Sequence, residues 1–236
     1  MHPQVVDFSI AAIMTEEESS KRETCQQMWK SYHSKFPDVD SLTSTEYLRD
    51  LSVSTTSTPS SKSYTLVDVR SQAERAVSMI PQAVTLDEFE SRVKISPASN
   101  AIDEVVVTYC TIGYRSGLEA RRLRDKYGLN VMNLDGIVSY THACSAATAH
   151  SSSAKSREDS GHDKIMHLVE PKSQKPTTKV HVFGPAWNQA SNSFDAIYFS
   201  KLSMAVRGMG VGFSAFLQSL RRFICFCFQS KPEKAD

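Results

Sequence analysis

Seven consecutive residues carry the side chains best suited to chemistry in this chain: Cys110, Thr111, Ile112, Gly113, Tyr114, Arg115 and Ser116. They follow the apolar, largely β-branched run Val105-Val106-Val107-Thr108-Tyr109, and Gly117 leads on to the helical stretch Leu118 to Tyr127. A short apolar run bounded by turn signals fits a buried strand of a parallel sheet. Cys110 then stands at the carboxyl end of that strand, facing a helix N-terminus, where ligands bind in open α/β sheets. Loop N–H groups and the helix dipole favour an anion there, so the spacing predicts a stabilised, nucleophilic thiolate. Gly113 lets the backbone turn tightly, and Arg115 supplies a fixed positive charge. The alternative is a strand-end cysteine packing as a small hydrophobe.

The elements that must position this loop recur along the chain. Tyr64 to Arg70 reads as a strand ending in an acid and a base, Asp68 and Arg70, and Ser71-x-x-Glu74 caps the helix after it. Ile80-Pro81-Gln82-Ala83-Val84 is a turn into a brief strand, and Thr85-x-x-Glu88 caps a short helix carrying Phe89 and Val93. Asn130 to Leu134 is a further strand, and Asp135-Gly136 turns into Ile137. Upstream, Cys25, Met28, Trp29, Tyr32 and Phe36 share one face of a helix expected from about Glu16 to Lys35. Its aromatic stripe is read as packing, and Cys25 as a core residue. Thr43-x-x-Glu46 caps another short helix. Strands and helices thus alternate over about a hundred residues, which predicts an α/β fold with a doubly wound, mostly parallel sheet flanked by helices.

The divisions expected are an N-terminal extension (1–39), the α/β domain (40–143), a flexible polar insertion (144–165), a C-terminal extension packing on the domain (166–208) and a terminal helix with its tail (209–236). His142, His150, His162 and His167, in or near the insertion, are read as surface histidines. Lys179 to Trp187 alternates like an edge strand.

Composition narrows the function. The 236 residues hold 27 basic and 26 acidic side chains, a net charge of +1 that gives no support to bulk binding of nucleic acid. Five cysteines, an odd number without a CxxC pair, suggest neither a disulfide framework nor a zinc site, so no metal and no cofactor is expected. A reducing, cytoplasmic setting suits a free thiol. The apolar run Phe223 to Phe228 falls far short of the ~20 residues a membrane span needs. The helix around it could lie in a membrane surface with Cys225 and Cys227 as acylation sites, or dock on protein through residues 209–228.

Taken together, Leu66-Val67-Asp68-Val69-Arg70, Glu74, Ile80-Pro81-Gln82-Ala83, Tyr109-Cys110-Thr111-Ile112-Gly113-Tyr114-Arg115-Ser116 and Asn133-Leu134-Asp135-Gly136 resemble a rhodanese-type sulfurtransferase domain over roughly residues 40–143. Val180 to Trp187 also resembles the tail of some single-domain members. The chain departs from the family pattern at Ser78-Met79, where members carry Gly-His, at Gln82, where they carry glycine, and at the single glycine after Leu134.

The resemblance implies ping-pong transfer of sulfane sulfur through a Cys110 persulfide, from thiosulfate or a related donor to a thiol or cyanide. It implies an anion cradle of N–H groups from Thr111 to Ser116 with Arg115 adding charge. Asp68 is expected to support the loop. Arg70 is expected to pair with Glu74 as a surface ion pair, the alternative being that it approaches the pocket rim. Cysteine phosphatases and arsenate reductases need Cys-x5-Arg; Cys110 and Arg115 give Cys-x4-Arg, a smaller cradle, so that activity is the weaker alternative. A regulatory or membrane-associated binding module is the other alternative.

Overall fold

The structure is a computed structural model and describes residues 16–54, 63–95, 104–151 and 167–198. The expected terminal helix, with Cys225 and Cys227, lies outside the described residues, as does His162.

The framework is a five-stranded sheet. Its strands are β1 (Asp40–Leu42), β2 (Ser63–Asp68), β3 (Val84–Thr85), β4 (Glu104–Tyr109) and β5 (Val131–Leu134). They lie in the order β1-β5-β4-β2-β3, and every pair is parallel. The helices are α1 (Glu16–His33), α2 (Ser44–Ser54), α3 (Gln72–Arg75), α4 (Leu86–Ile95), α5 (Tyr114–Tyr127) and α6 (Ile137–Ser151). This is the doubly wound α/β fold that the alternation predicts. Strand periodicity explains the two layers. Leu66, Val105, Val107 and Tyr109 face one core with Tyr47, Ile137, Val138 and Tyr140. Val67 and Val106 face the other with Phe89, Val93, Ala120 and Leu123. A sheet buried on both faces needs strands without a polar side, which is why the Val105–Tyr109 run lacks alternation.

Cap chemistry matches the sequence. The Thr43 and Thr85 hydroxyls and N–H groups donate to Glu46 and Glu88, and Ser71 with Glu74 forms a complete capping box. Gly128 ends α5, its N–H returning to the Arg124 carbonyl at 2.8 Å.

Three expectations are corrected. First, α5 begins at Tyr114 rather than beyond Gly117, because Gly113 at φ +91° redirects the chain straight into the helix. Second, α6 continues to Ser151, so the first residues of the expected insertion are helical; Ala143, Ala146, Ala147 and Ala149 are strong helix formers. Third, His142 is not a surface histidine. It is buried, with Nδ1 2.9 Å from Glu18 Oε1 and Nε2 2.8 Å from the Gln189 carbonyl, and so ties α6 to α1 and to the C-terminal extension.

The extension from residue 167 packs on the domain. Strand β6 (Leu168–Val169) pairs with β7 (Pro176–Thr177), and Val169 bridges Met79 through two backbone hydrogen bonds of 2.9 Å. Strand β8 (Lys179–His181) pairs in parallel with β9 (Asp195–Ile197). The expected edge strand is thus three residues long and belongs to a separate two-stranded sheet, because Gly184-Pro185 turns the chain into a short 3-10 helix (Pro185–Trp187).

Candidate active site

Cys110 follows directly on β4, and α5 opens four residues later. Its Sγ accepts a hydrogen bond from the Gly113 backbone N–H at 3.1 Å and one from the Ser116 hydroxyl at 3.4 Å. The sulfur therefore sits on the N-terminal end of α5, where unpaired N–H groups and the helix dipole favour negative charge. Cys110 is only 2% exposed, and Thr111, Ile112, Gly113 and Ser116 are buried with it.

Each side of the loop is fixed by a different element. The Ile137 and Val138 N–H groups at the start of α6 donate to the Cys110 and Thr111 carbonyls, at 2.9 and 3.2 Å. Asn133, at the end of β5, donates from Nδ2 to the Gly113 carbonyl at 2.9 Å. Thr108 on β4 donates to the Ser116 carbonyl at 3.0 Å. Gly136, at φ +97°, lets the chain pass so close that a Cβ there would lie 2.5 Å from the Thr111 carbonyl oxygen. The indole of Trp29 covers Gly113, where a Cβ would lie 2.1 Å from a ring carbon. The aromatic stripe of α1 is packing, as expected, and what it packs against is this loop. Phe36 likewise lies on Gly117.

The charged residues pair differently from the expectation. Arg70 is buried and does not form a surface ion pair with Glu74. It donates to Asp68 from its backbone N–H, Nε and Nη2, and from Nη2 to the Ser78 carbonyl at 2.6 Å. Asp68 also accepts from the Tyr109 hydroxyl at 2.6 Å, so it supports the strand end before Cys110 rather than the loop itself. Glu74 instead holds Arg115, with Nη1 2.8 Å from Oε2 and Nη2 2.7 Å from Oε1. Burial works against a charged Glu74, but the Arg115 hydrogen bonds and charge, with contact to His181 and the charge of Arg70, hold its carboxyl well below the usual range. Arg115 also donates to the Thr111 hydroxyl at 3.1 Å. Its hydrogen bonds go to Glu74 and Thr111, while its charge still acts on Cys110.

The other described cysteines are unsuited to nucleophilic work. Cys25 is buried beside the Ser139 hydroxyl, and burial pushes the Cys25 and Cys144 thiols up to about 12. Among the described residues, no cluster of three or more His, Cys, Asp or Glu side chains is disposed to hold a metal ion, and no helix is long and apolar enough to cross a membrane.

The loop expected from the sequence, residues 111–116, lies around Cys110, with Gly113 and Ser116 hydrogen-bonded to its sulfur. Sequence reasoning misses Asn133, His181 and Phe183, which all border the site. A polar residue inside the short strand Val131–Leu134 is the one local signal for Asn133.

Residues 55–143 match the family model of the rhodanese-like domain. The chain carries a rhodanese-like domain running from the approach to β2 through the first half of α6. Several solved structures are similar to it at low identity. One is a protein of unknown function from Rhodopseudomonas palustris, described as a possible tyrosine phosphatase (22% identity, TM-score 0.33, 48% of this chain and 83% of that one). Another is a thiosulfate sulfurtransferase from Pseudomonas aeruginosa (17% identity, TM-score 0.38, 54% of this chain and 22% of that one). A third is a protein from Staphylococcus saprophyticus (25% identity, TM-score 0.31, 42% of this chain and 88% of that one). No curated protein matches the chain significantly.

Proposed function

We propose that the chain is a sulfurtransferase in which Cys110 carries the sulfur. The observation that supports this most directly is the hydrogen bond of 3.1 Å from the Gly113 N–H to Cys110 Sγ, inside a Cys-x4-Arg loop of a rhodanese-like domain. The Cys110 thiolate attacks the outer sulfur of thiosulfate, or of another sulfane donor. A new S–S bond forms, the donor's S–S bond breaks, and the rest of the donor (sulfite, where thiosulfate is the donor) leaves with the electron pair of that bond. A thiolate or cyanide then attacks the outer sulfur of the persulfide and returns Cys110 to the thiolate. The Gly113 N–H and the Ser116 hydroxyl stabilise negative charge on sulfur before and after transfer. The short loop favours sulfur over a tetrahedral phosphate, which needs the longer Cys-x5-Arg wrap.

The experiment is incubation of the full chain with thiosulfate, followed by mass spectrometry of the Cys110 peptide and by assay of thiocyanate formation from cyanide. A gain of one sulfur atom on Cys110, with turnover lost in Cys110→Ser, supports the proposal. Turnover of p-nitrophenyl phosphate without any persulfide would replace it with the phosphatase.

One observation favours a second reading, a regulatory binding module: Cys110 is 2% exposed beneath a closed loop. Absence of both persulfide and hydrolysis with every donor tested would select it.

A further inference from the structure

The buried Glu74–Arg115 pair has neighbours from outside the βα framework. His181 on β8 places Nδ1 3.6 Å from Glu74 Oε1, with the two side chains 5% and 4% exposed. Two residues further on, the Phe183 ring lies 4.6 Å from the Arg115 guanidinium carbon. The two rings meet edge to face at 6.2 Å, and Phe183 is backed by Trp187 at 6.2 Å. The alternation that sends Val180 and Val182 into the core brings His181 and Phe183 to this pair. The segment is pinned by pairing with β9 and by a hydrogen bond of 2.8 Å from the Val182 N–H to the Ile197 carbonyl.

Arg115 is therefore restrained from three directions. Glu74 clamps two of its nitrogens, the Thr111 hydroxyl accepts from Nη2, and Phe183 covers it with an aromatic ring. Thr111 directly follows Cys110 in the chain. A displacement of Arg115 would thus reach the backbone that carries the nucleophile.

We propose that His181 and Phe183 are positioning residues for sulfur transfer. They fix the Glu74–Arg115 pair, and through Arg115 and Thr111 they fix the Cys110 loop against an incoming anionic donor. The C-terminal extension is then part of the site rather than an accessory to the fold. This rests on the sulfurtransferase reading above, and the test keeps the two separable.

The variants are His181→Ala and Phe183→Leu, with His181→Asn and Phe183→Trp as conservative partners. Asn can keep a polar atom where Nδ1 faces Glu74, and Trp keeps an aromatic face for Arg115. The first readout needs no turnover: the ratio of iodoacetate to iodoacetamide alkylation rates at Cys110, followed by mass spectrometry of that peptide in the full chain. The ratio is expected to fall three- to tenfold in His181→Ala and Phe183→Leu, and to stay within twofold of wild type in the conservative pair. The second is the KM for thiosulfate, expected to rise by a similar factor while kcat changes less than twofold. An unchanged ratio in His181→Ala and Phe183→Leu overturns the proposal. So does equal impairment of His181→Asn and His181→Ala accompanied by a lowered Tm, which would mark a purely structural role. If wild-type Cys110 takes sulfur from no donor, the sulfurtransferase reading fails, and the alkylation ratio alone decides whether these residues position the loop.

Discussion

The Glu74 carboxylate closes the capping box of α3 and holds Arg115 at the same time. Oε2 accepts from Ser71 and from Arg115 Nη1, and Oε1 accepts from Arg115 Nη2. Glu74→Gln keeps the shape but leaves Arg115 facing a neutral amide. Breaking a buried pair typically costs about 3–5 kcal/mol, and with the Arg115 side chain 29% exposed a loss of about 3 kcal/mol is expected at pH 7. The folded-state pKa of Glu74 is depressed, so its stabilisation is complete above the ordinary carboxylate value of ~4.3 and is lost as pH falls through the folded value. Urea unfolding at pH 7 and below pH 4 should therefore show the gap between wild type and Glu74→Gln closing in acid. A gap that holds constant would mean the charge of Glu74 contributes nothing.

The Trp29 indole occupies the space where a Cβ on Gly113 would stand. Gly113→Ala would need a methyl group 2.1 Å from an indole carbon, at a φ of +91°. The left-handed conformation alone costs about 1–2 kcal/mol for a residue with a Cβ, and overpacking adds about 1–3. A loss of about 3 kcal/mol is expected. Trp29→Ala should cost a similar amount through the cavity it leaves. If the ring is what the added methyl group meets, the double variant is less destabilised than the sum of the two, by at least about 1 kcal/mol. Strict additivity in denaturant titrations would show the ring moves aside freely.

Local chemistry was legible in the sequence, and distant partnerships were not. The capping boxes at Thr43, Ser71 and Thr85 depend on residues three apart, and the structure forms each of them. The β4–loop–α5 unit around Cys110 is likewise one continuous stretch. Strand β1 was not visible, because Asp40–Leu42 buries one residue and becomes a strand only by pairing with β5, some ninety residues away in the chain. Arg70 and Glu74 have a spacing that suggests an ion pair, but Arg70 stands at a strand end where Asp68, two residues back, reaches it first. His142 sits in a small, polar stretch that suggests solvent, and its partners Glu18 and Gln189 come from opposite ends of the chain. The same distance hid His181 from Glu74.

Gln82 occupies the turn between α3 and β3 at φ +64°, where the resembling family carries glycine. Its side chain is exposed, so the conformation is not offset by burial. A left-handed residue with a Cβ costs about 1–2 kcal/mol, while glycine costs ~0.5–1 kcal/mol of extra entropy on folding. Gln82→Gly is expected to raise stability by about 0.5–1 kcal/mol, read as a higher midpoint in urea. An unchanged or lower midpoint would show that the Gln82 backbone is held by something other than its own strain.

Asp135 gives the fold a pH dependence of the opposite sign to Glu74. It is half-buried at the β5–α6 turn, where its Oδ1 accepts from the Ser44 N–H at 2.9 Å and from the Ser44 hydroxyl. Burial raises its pKa from 3.8 to about 7, and the Ser44 hydrogen bonds only partly oppose that. The folded protein therefore holds a proton that the unfolded chain releases near pH 4. The stabilisation is complete below that value and is lost as pH rises through about 7, at about 1.4 kcal/mol per pH unit and ~4 kcal/mol in all. Asp135→Asn keeps an amide oxygen to accept from Ser44 and cannot ionise. Relative to wild type, the variant should gain about 4 kcal/mol between pH 4 and pH 8, with most of the change between pH 4.5 and 7. Urea titrations of both proteins at pH 4.5, 6 and 7.5 measure this directly. A difference that does not change across the three would mean that Asp135 ionises in the folded state as readily as in the unfolded chain. The turn after β5 would then be held by the carboxylate itself, with Ser44 supplying more stabilisation than burial removes.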